Sequence, residues 1–384
     1  GAFTMRERME RRRGPVAALW VPERLETLER SRSGAMVNHL PEAEAFLCVN
    51  GALADPEVAC AIDRPEAVVD EAGDVAAALL PRTSALHFLR QGELEEWVPR
   101  RAVKGRILLR RPWHILDALD STLRADLALA ANELGAPLPA WATAFGDHPL
   151  HLADDAQVLP GVVIDCTDGP VAIHGGTVIR PHAVLVGPCS VGPRTIVGDH
   201  ALIKARTSIG PVCRVAGEVG ATIIQGWSNK SHDGHLGDSI VGEWVNLGAG
   251  TLNSNLLNTY GEVVVTLEPG ASRERTGRRF MGALIGDHVK TAIATRLMTG
   301  AVLGTGAMVA TTRGLPIPVP RFAWIVEERT QRFRWERFEE TMRTMMSRRQ
   351  VEPAAAYVER MRTLHESGGA DPSSAQAAPA RVDP

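Results

Sequence analysis

The stretch TIIQGWSNKSHDGH, residues 222–235, gathers polar side chains and two histidines in one place. His232, four residues before Leu236, is the group best suited to proton transfer. An imidazole with an ordinary pKa of about 6.5 can take a proton from an attacking nucleophile near neutral pH; the bland alternative is a solvated loop histidine. Lys230 either meets a phosphate or is a solvated loop charge. Further on, VNLGAGTLNSN carries Asn246 and Asn255, whose amides either bind a polar ligand or stack as a ladder. Within it, Gly248, Ala249 and Gly250 give a flat backbone that an extended ligand can approach, or serve as ordinary repeat residues.

The element that must position these groups announces itself by a period of six. From Ile173, every sixth residue is aliphatic: Ile179, Leu185, Val191, Val197, Ile203, Ile209 and Val215. Four residues after each stands a small or β-branched one: Thr177, Ala183, Cys189, Thr195, Ala201, Thr207, Cys213 and Val219. Helices repeat at about 3.6 residues and strands at about 2, so neither generates six. One short strand plus a turn per hexapeptide does, and three such units close a triangular coil of about 18 residues, a β-helix solenoid. The phase resumes at Val241 and Leu247, and again at Ile285, Thr291, Leu297, Leu303 and Val309. Two stretches interrupt it: residues 222–235, and 256–283 with the hairpin-like GEVVVTLEPGASRERTGRRF. Loops that break a regular scaffold are where function concentrates.

Composition sets the outer bounds. The 384 residues carry 42 Lys+Arg against 45 Asp+Glu, a net charge of −3, which argues against a dedicated nucleic-acid surface. Apolar residues make up 45% but aromatics only 5%, so the core is aliphatic and small. The cysteines, Cys48, Cys60, Cys166, Cys189 and Cys213, are odd in number and form no CxxC, which fits a reducing cytoplasm rather than a disulfide framework. No apolar run reaches the ~18 residues of a membrane span. Arg11–Arg13 leads into an apolar run soon cut by Glu23 and Arg24, so no signal peptide is expected. The opening Gly1 suggests a fragment or a trimmed N-terminus.

Along the chain, residues 1–110 read as a mixed α/β domain in which the apolar run Ala45–Val49 ends in the turn pair Asn50-Gly51. Residues 111–157 read as a helical connector and linker, 158–322 as the β-helix, 323–366 as an Arg- and Met-rich C-terminal helix, and 367–384 as a disordered tail.

The stretch GWSNKSHDGHLGDSIVGEWVNLGAGTLNSNLLNTYGEV, with LIGDH after it, resembles the left-handed β-helix of the bifunctional glucosamine-1-phosphate acetyltransferase/N-acetylglucosamine-1-phosphate uridyltransferase. It resembles still more a bacterial sugar nucleotidyltransferase family that shares that architecture. RPWHILDALDSTLRADL and FTMRERMERR resemble that family too, so the likeness runs from residue 1 to about 325. The resemblance implies a partial or degenerate α/β nucleotidyltransferase-like domain followed by a left-handed parallel β-helix and a C-terminal helix. It implies acetyl transfer from acetyl-CoA to the amine of a phosphorylated or nucleotide-linked amino sugar. His232 would be the general base; Asn229, Lys230, His235, Asn246 and Asn255 would contact substrate; Gly248, Ala249 and Gly250 would border the donor. It also implies a homotrimer with acyl sites between adjacent prisms.

Two departures from the family stand out. No glycine-rich LxxGxGTRMxPK loop is present, and Val49-Asn50-Gly51, with Asp55 beyond, stands where a metal-binding Gly-Asp would be. Mg²⁺ is therefore expected only if the N-terminal domain transfers nucleotides. Zinc is not expected. The γ-type carbonic anhydrases use a His-x4-His pair, and His174, His182, His200, His232, His235 and His288 include none. Two rival readings stay open: a nucleotidyltransferase whose β-helix only oligomerises it, and a non-catalytic sugar-nucleotide sensor or scaffold. Arg332, Arg334 and Arg337 either grip CoA phosphates or form a solvated face.

Overall fold

Every aliphatic residue of the six-residue series from Ile173 to Val215 is buried, and so is every small residue from Thr177 to Val219. They fill a left-handed parallel β-helix, in a computed structural model that describes residues 1–130, 135–315 and 317–368. Val171 pairs with Cys189 and Cys189 with Thr207, a step of 18 residues per coil. Because side chains alternate along a strand, core residues stand two apart where a strand has three residues, as Val171 with Ile173 and Cys189 with Val191 do.

Three faces result. The first stacks Thr143–Phe145, Val163–Asp165, Val184–Val186, Leu202–Ile203, Glu218–Gly220 and His235–Gly237. The second runs from Leu150–Leu152 to Val302–Leu303. The third stacks Gln157–Val158, Val178–Ile179, Ile196–Val197, Arg214–Val215 and Asn229–Lys230, then continues by single bridges through Asn246 to Lys290. Buried hydroxyls find partners in the next coil. The Oγ1 of Thr177 donates to Gly192 O and that of Thr195 to Gly210 O, both at 2.9 Å. Corners are turned by left-handed residues, among them His182, Arg194, His200 and Val212. That conformation costs an L-residue roughly 1–2 kcal/mol, and each of the four donates its N–H to a carbonyl of the coil before.

The first coil begins at Thr143, inside the segment expected to be linker. The connector itself is two helices, Pro112–Asp117 and Leu119–Ala130. The interruption 256–283 holds a two-residue antiparallel pair, Val264–Val265 with Glu274–Arg275. After it Ile240 pairs with Leu284, so the coil resumes in register.

Beyond residue 322 the expected single helix resolves into two strands and two helices. Ala323–Val326 and Arg329–Arg332 extend the third face as a hairpin, and helices Trp335–Ser347 and Ala355–Ser367 follow, separated around Pro353. Proline lacks the N–H a helix interior needs. Trp335, Phe338, Met342 and Met346, spaced at three and four, are the buried stripe of the first helix. Phe338 docks where Gly306 leaves the corner column without a side chain. A Cβ on Gly306 would stand 2.5 Å from Phe322 Cδ1 and 3.1 Å from Phe338 Cε2. The tail expected to be disordered lies outside the described residues from 369 onward.

Residues 3–118, with 354–360, form a separate unit. Its four-stranded sheet has the order Ala45–Val49, Val75–Pro81, Glu66–Val69, Arg100–Ala102. The first two pairings are antiparallel and the last parallel. The helix Met5–Arg13 starts at a reciprocal cap between Thr4 and Glu7. Asn50 closes a turn: its Oδ1 accepts from Ala52 N at 2.9 Å and its Nδ2 donates to Val75 O at 3.1 Å. Among the described residues no helix is long and apolar enough to cross a membrane.

Candidate functional site

The loop 231–234 turns the corner between the strand Asn229–Lys230 on the third face and His235–Gly237 on the first. His232 sits in it, exposed, and its imidazole makes no hydrogen bond among the described residues. Its carbonyl is occupied, accepting from Lys230 Nζ. Lys230 is neither a solvated charge nor a free head group. It is buried, donates also to Ala216 O at 3.0 Å, and burial pushes its ammonium down to about 8. The lysine thus stitches the corner that carries His232.

His235 begins the strand on the first face, in register with Glu218 one coil earlier. Its Nδ1 lies 3.3 Å from Glu218 Oε1, and the same carboxylate oxygen accepts from Lys204 Nζ at 3.2 Å. The Lys204 hydrogen bond, aided by the His235 charge, holds the Glu218 carboxyl below its ordinary range against the opposing effect of burial. A carboxylate behind an imidazole fixes the orientation of the ring. Asn255 lies near. Its Nδ2 donates to Asp238 Oδ2 at 2.8 Å, and Arg278 from the inserted segment reaches Asp238 Oδ1 at 3.4 Å. A Cβ placed on Gly237 would stand 2.5 Å from His235 Nε2 and 3.0 Å from Asn255 Nδ2, so both side chains close over that glycine.

Asn229 and Asn246 belong elsewhere, on the third face. Asn229 Nδ2 donates to Asn246 Oδ1 at 3.2 Å, and Asn229 Oδ1 accepts from Arg349 at 2.7 Å. The ladder is therefore Asn229 on Asn246, while Asn255 serves the first face. Gly248 packs against the next coil: a Cβ there would lie 2.4 Å from Ala292 O, and its N–H donates to Thr291 Oγ1 at 3.0 Å. Ala249 O accepts from Ala294 N, and Gly250 turns the corner at φ +69°. These residues hold coil to coil.

Above the third face, the hairpin and the helix Trp335–Ser347 enclose a cleft of about 940 Å³ lined by Asn229, Asn246, Lys290, aromatic rings and several arginines. Glu218, Lys204, Asp238 and the cleft's Arg214 and Lys290 escaped sequence reasoning. A signal existed for Glu218: it precedes His235 by 17 residues, close to one coil. None existed for Arg349, brought to Asn229 by helix docking alone.

The sequence resemblance is borne out over part of the chain. The bifunctional sugar-1-phosphate nucleotidylyltransferase/acetyltransferase of Sulfurisphaera tokodaii is 39% identical over 92 residues, 24% of this chain and 22% of its own length. Bifunctional protein GlmU of Methanococcus vannielii is 35% identical over 92 residues, with the same coverages. The chain thus spans less than a quarter of the length of the curated relatives it matches. No protein-family model matches it. Among solved structures, Francisella novicida UDP-N-acetylglucosamine acyltransferase aligns at 12% identity over 58% of this chain and 78% of its own, with TM-score 0.21. A GDP-perosamine N-acetyl transferase from Caulobacter crescentus aligns at 15% identity over 64% and 72%, with TM-score 0.16.

Proposed function

We propose that this chain is an enzyme, an acyl-CoA-dependent N-acyltransferase whose acceptor is a phosphorylated or nucleotide-linked amino sugar and whose donor is acetyl-CoA. The observation that carries the reading is the corner loop itself, which presents His232 to solvent and sets His235 against Glu218. The 92-residue similarity to a nucleotidylyltransferase/acetyltransferase supports it.

In this reading the acceptor nitrogen attacks the thioester carbonyl, forming the C–N bond and breaking the C–S bond. His232 takes the proton lost from nitrogen and returns it to the departing thiolate, leaving an amide and free CoA thiol. His235 and Asn255 position the sugar, and orientation supplies much of the rate.

The test is acetyl transfer to a panel of amino-sugar phosphates by wild type and His232→Ala. Loss of a general base lowers kcat by roughly 10²- to 10⁴-fold, with donor binding and folding retained because the side chain is exposed. Retention of more than about a tenth of wild-type turnover, outside that range, overturns the role of His232. No transfer to any acceptor by wild type overturns the reading.

A further inference from the structure

The cleft over the third face carries more positive charge than the acyl-transfer chemistry uses. Seven basic side chains line it against one acid, Glu340, in a chain whose net charge is −3. Glu340 is already paired with Arg337 at 2.9 Å. The rest come from three separate elements: Arg214 and Lys290 from the coil, Arg332 and Arg334 from the end of the hairpin, Arg348 and Arg349 from the end of the helix. Arg214, Arg332, Arg334 and Arg348 have no acidic partner among the described residues. Gathering like charges into one concavity is unfavourable unless an anion is bound there.

The surroundings add to this cost. Burial, then the neighbouring charges of Arg214 and Arg348, push the Arg349 guanidinium below its ordinary value. Burial pushes the Lys290 ammonium down to about 8. Guanidinium forks match phosphate oxygens two at a time, so four or more around one cleft suit a ligand with several phosphate oxygens. One wall is aromatic: Trp324, half-buried, stands edge-on to Phe333 at 4.5 Å. The volume falls within the roughly 300–1,000 Å³ of small-molecule sites.

We infer that this cleft binds a nucleoside diphosphate group, with its phosphates on the arginines of the hairpin and helix and its base against Trp324. The inference deepens the acyl-transfer reading, and rests on it for the use made of the ligand: both acyl-CoA and a nucleotide-linked acceptor carry such a group. Binding itself is measured without turnover.

The experiment is calorimetric titration of the full chain with UDP, GDP, ADP, CoA and inorganic pyrophosphate. Saturable binding of at least one nucleotide, tighter than pyrophosphate, is expected. Each of Arg334→Gln and Arg348→Gln, at exposed positions, should weaken it roughly tenfold or more, the value of a charge-assisted hydrogen bond. Trp324→Leu should weaken nucleotides and leave pyrophosphate unchanged, with circular dichroism confirming the fold. CoA binding tighter than ADP assigns the cleft to the donor, and UDP or GDP binding tighter than ADP assigns it to the acceptor; either supports the proposal. Failure of every nucleotide to saturate by about 1 mM, pyrophosphate binding as tightly as nucleotides, or indifference to both arginine variants overturns it. Nucleotide binding that survives in His232→Ala separates this outcome from failure of the catalytic reading.

Discussion

Nδ1 of His235 lies 3.3 Å from Oε1 of Glu218, a residue one coil earlier that also holds Lys204 at 3.2 Å. The pair exists because a step of 17 residues brings the two positions into register. Glu218→Gln keeps the shape and removes the charge behind the imidazole. Acyl transfer should fall about tenfold, the scale of one charged hydrogen bond, with KM for the sugar affected as much as kcat. The depressed carboxyl of Glu218 stabilises the fold above its unfolded value of about 4.5 and loses that contribution as pH falls through its folded value. Equal acid sensitivity and equal kinetics in wild type and variant would remove the pair from the mechanism.

Gly248 is required by packing. Its Cβ position is filled by the Ala292 carbonyl of the adjoining coil, backbone that cannot swing away. Gly248→Ala should cost about 1–3 kcal/mol, the usual price of overpacking, read from chemical denaturation. An unchanged midpoint would remove packing as the reason for glycine at this position.

His288 should shape the acid limb of stability. Stacked on Trp244 and edge-on to Phe338, it is driven down to about 3, first by burial and then by the charge of Lys290. Its unfolded counterpart titrates at about 6.5. The fold is therefore fully stabilised above that value and loses roughly 1.4 kcal/mol per unit as pH falls toward the folded value. His288→Phe should flatten the melting temperature between about pH 6 and 5, where Glu218 is still ionised. A slope as steep as wild type in the variant would assign the acid limb to other groups.

Assembly is expected to be trimeric. Ile293, Met298 and Leu252 are large apolar side chains left exposed on the coil, as an interface would require. Light scattering at micromolar concentration should report three times the mass of 41.4 kDa. A monomeric mass would remove the shared-site arrangement.

The N-terminal unit should release no pyrophosphate from UTP with a sugar-1-phosphate and Mg²⁺. Asn50 spends both ends of its amide on its own turn, and Asp55 Oδ1 accepts from Glu57 N at 2.9 Å. Turnover above that of a chain beginning at residue 119 would overturn this expectation.

The period of six carried the coil by itself. A solenoid repeats one local solution, so Ile173 to Val215 could be read as an inward row without any long-range information, and the corner loop with His232 followed as its interruption. Local composition likewise marked the α/β character of the first hundred residues. What it could not settle was which face each group would join. Asn246 and Asn255 look like a pair in VNLGAGTLNSN, yet a corner separates them: one joins Asn229 and the other Asp238. Lys230 reads as a loop charge because burial is a property of the closed coil, which alone supplies the Ala216 carbonyl. The cationic cleft depends on Phe338 finding the gap at Gly306 and on Arg349 reaching Asn229, 120 residues away in sequence. Contacts of that kind are decided by how a helix docks on a finished surface, and no local periodicity encodes them.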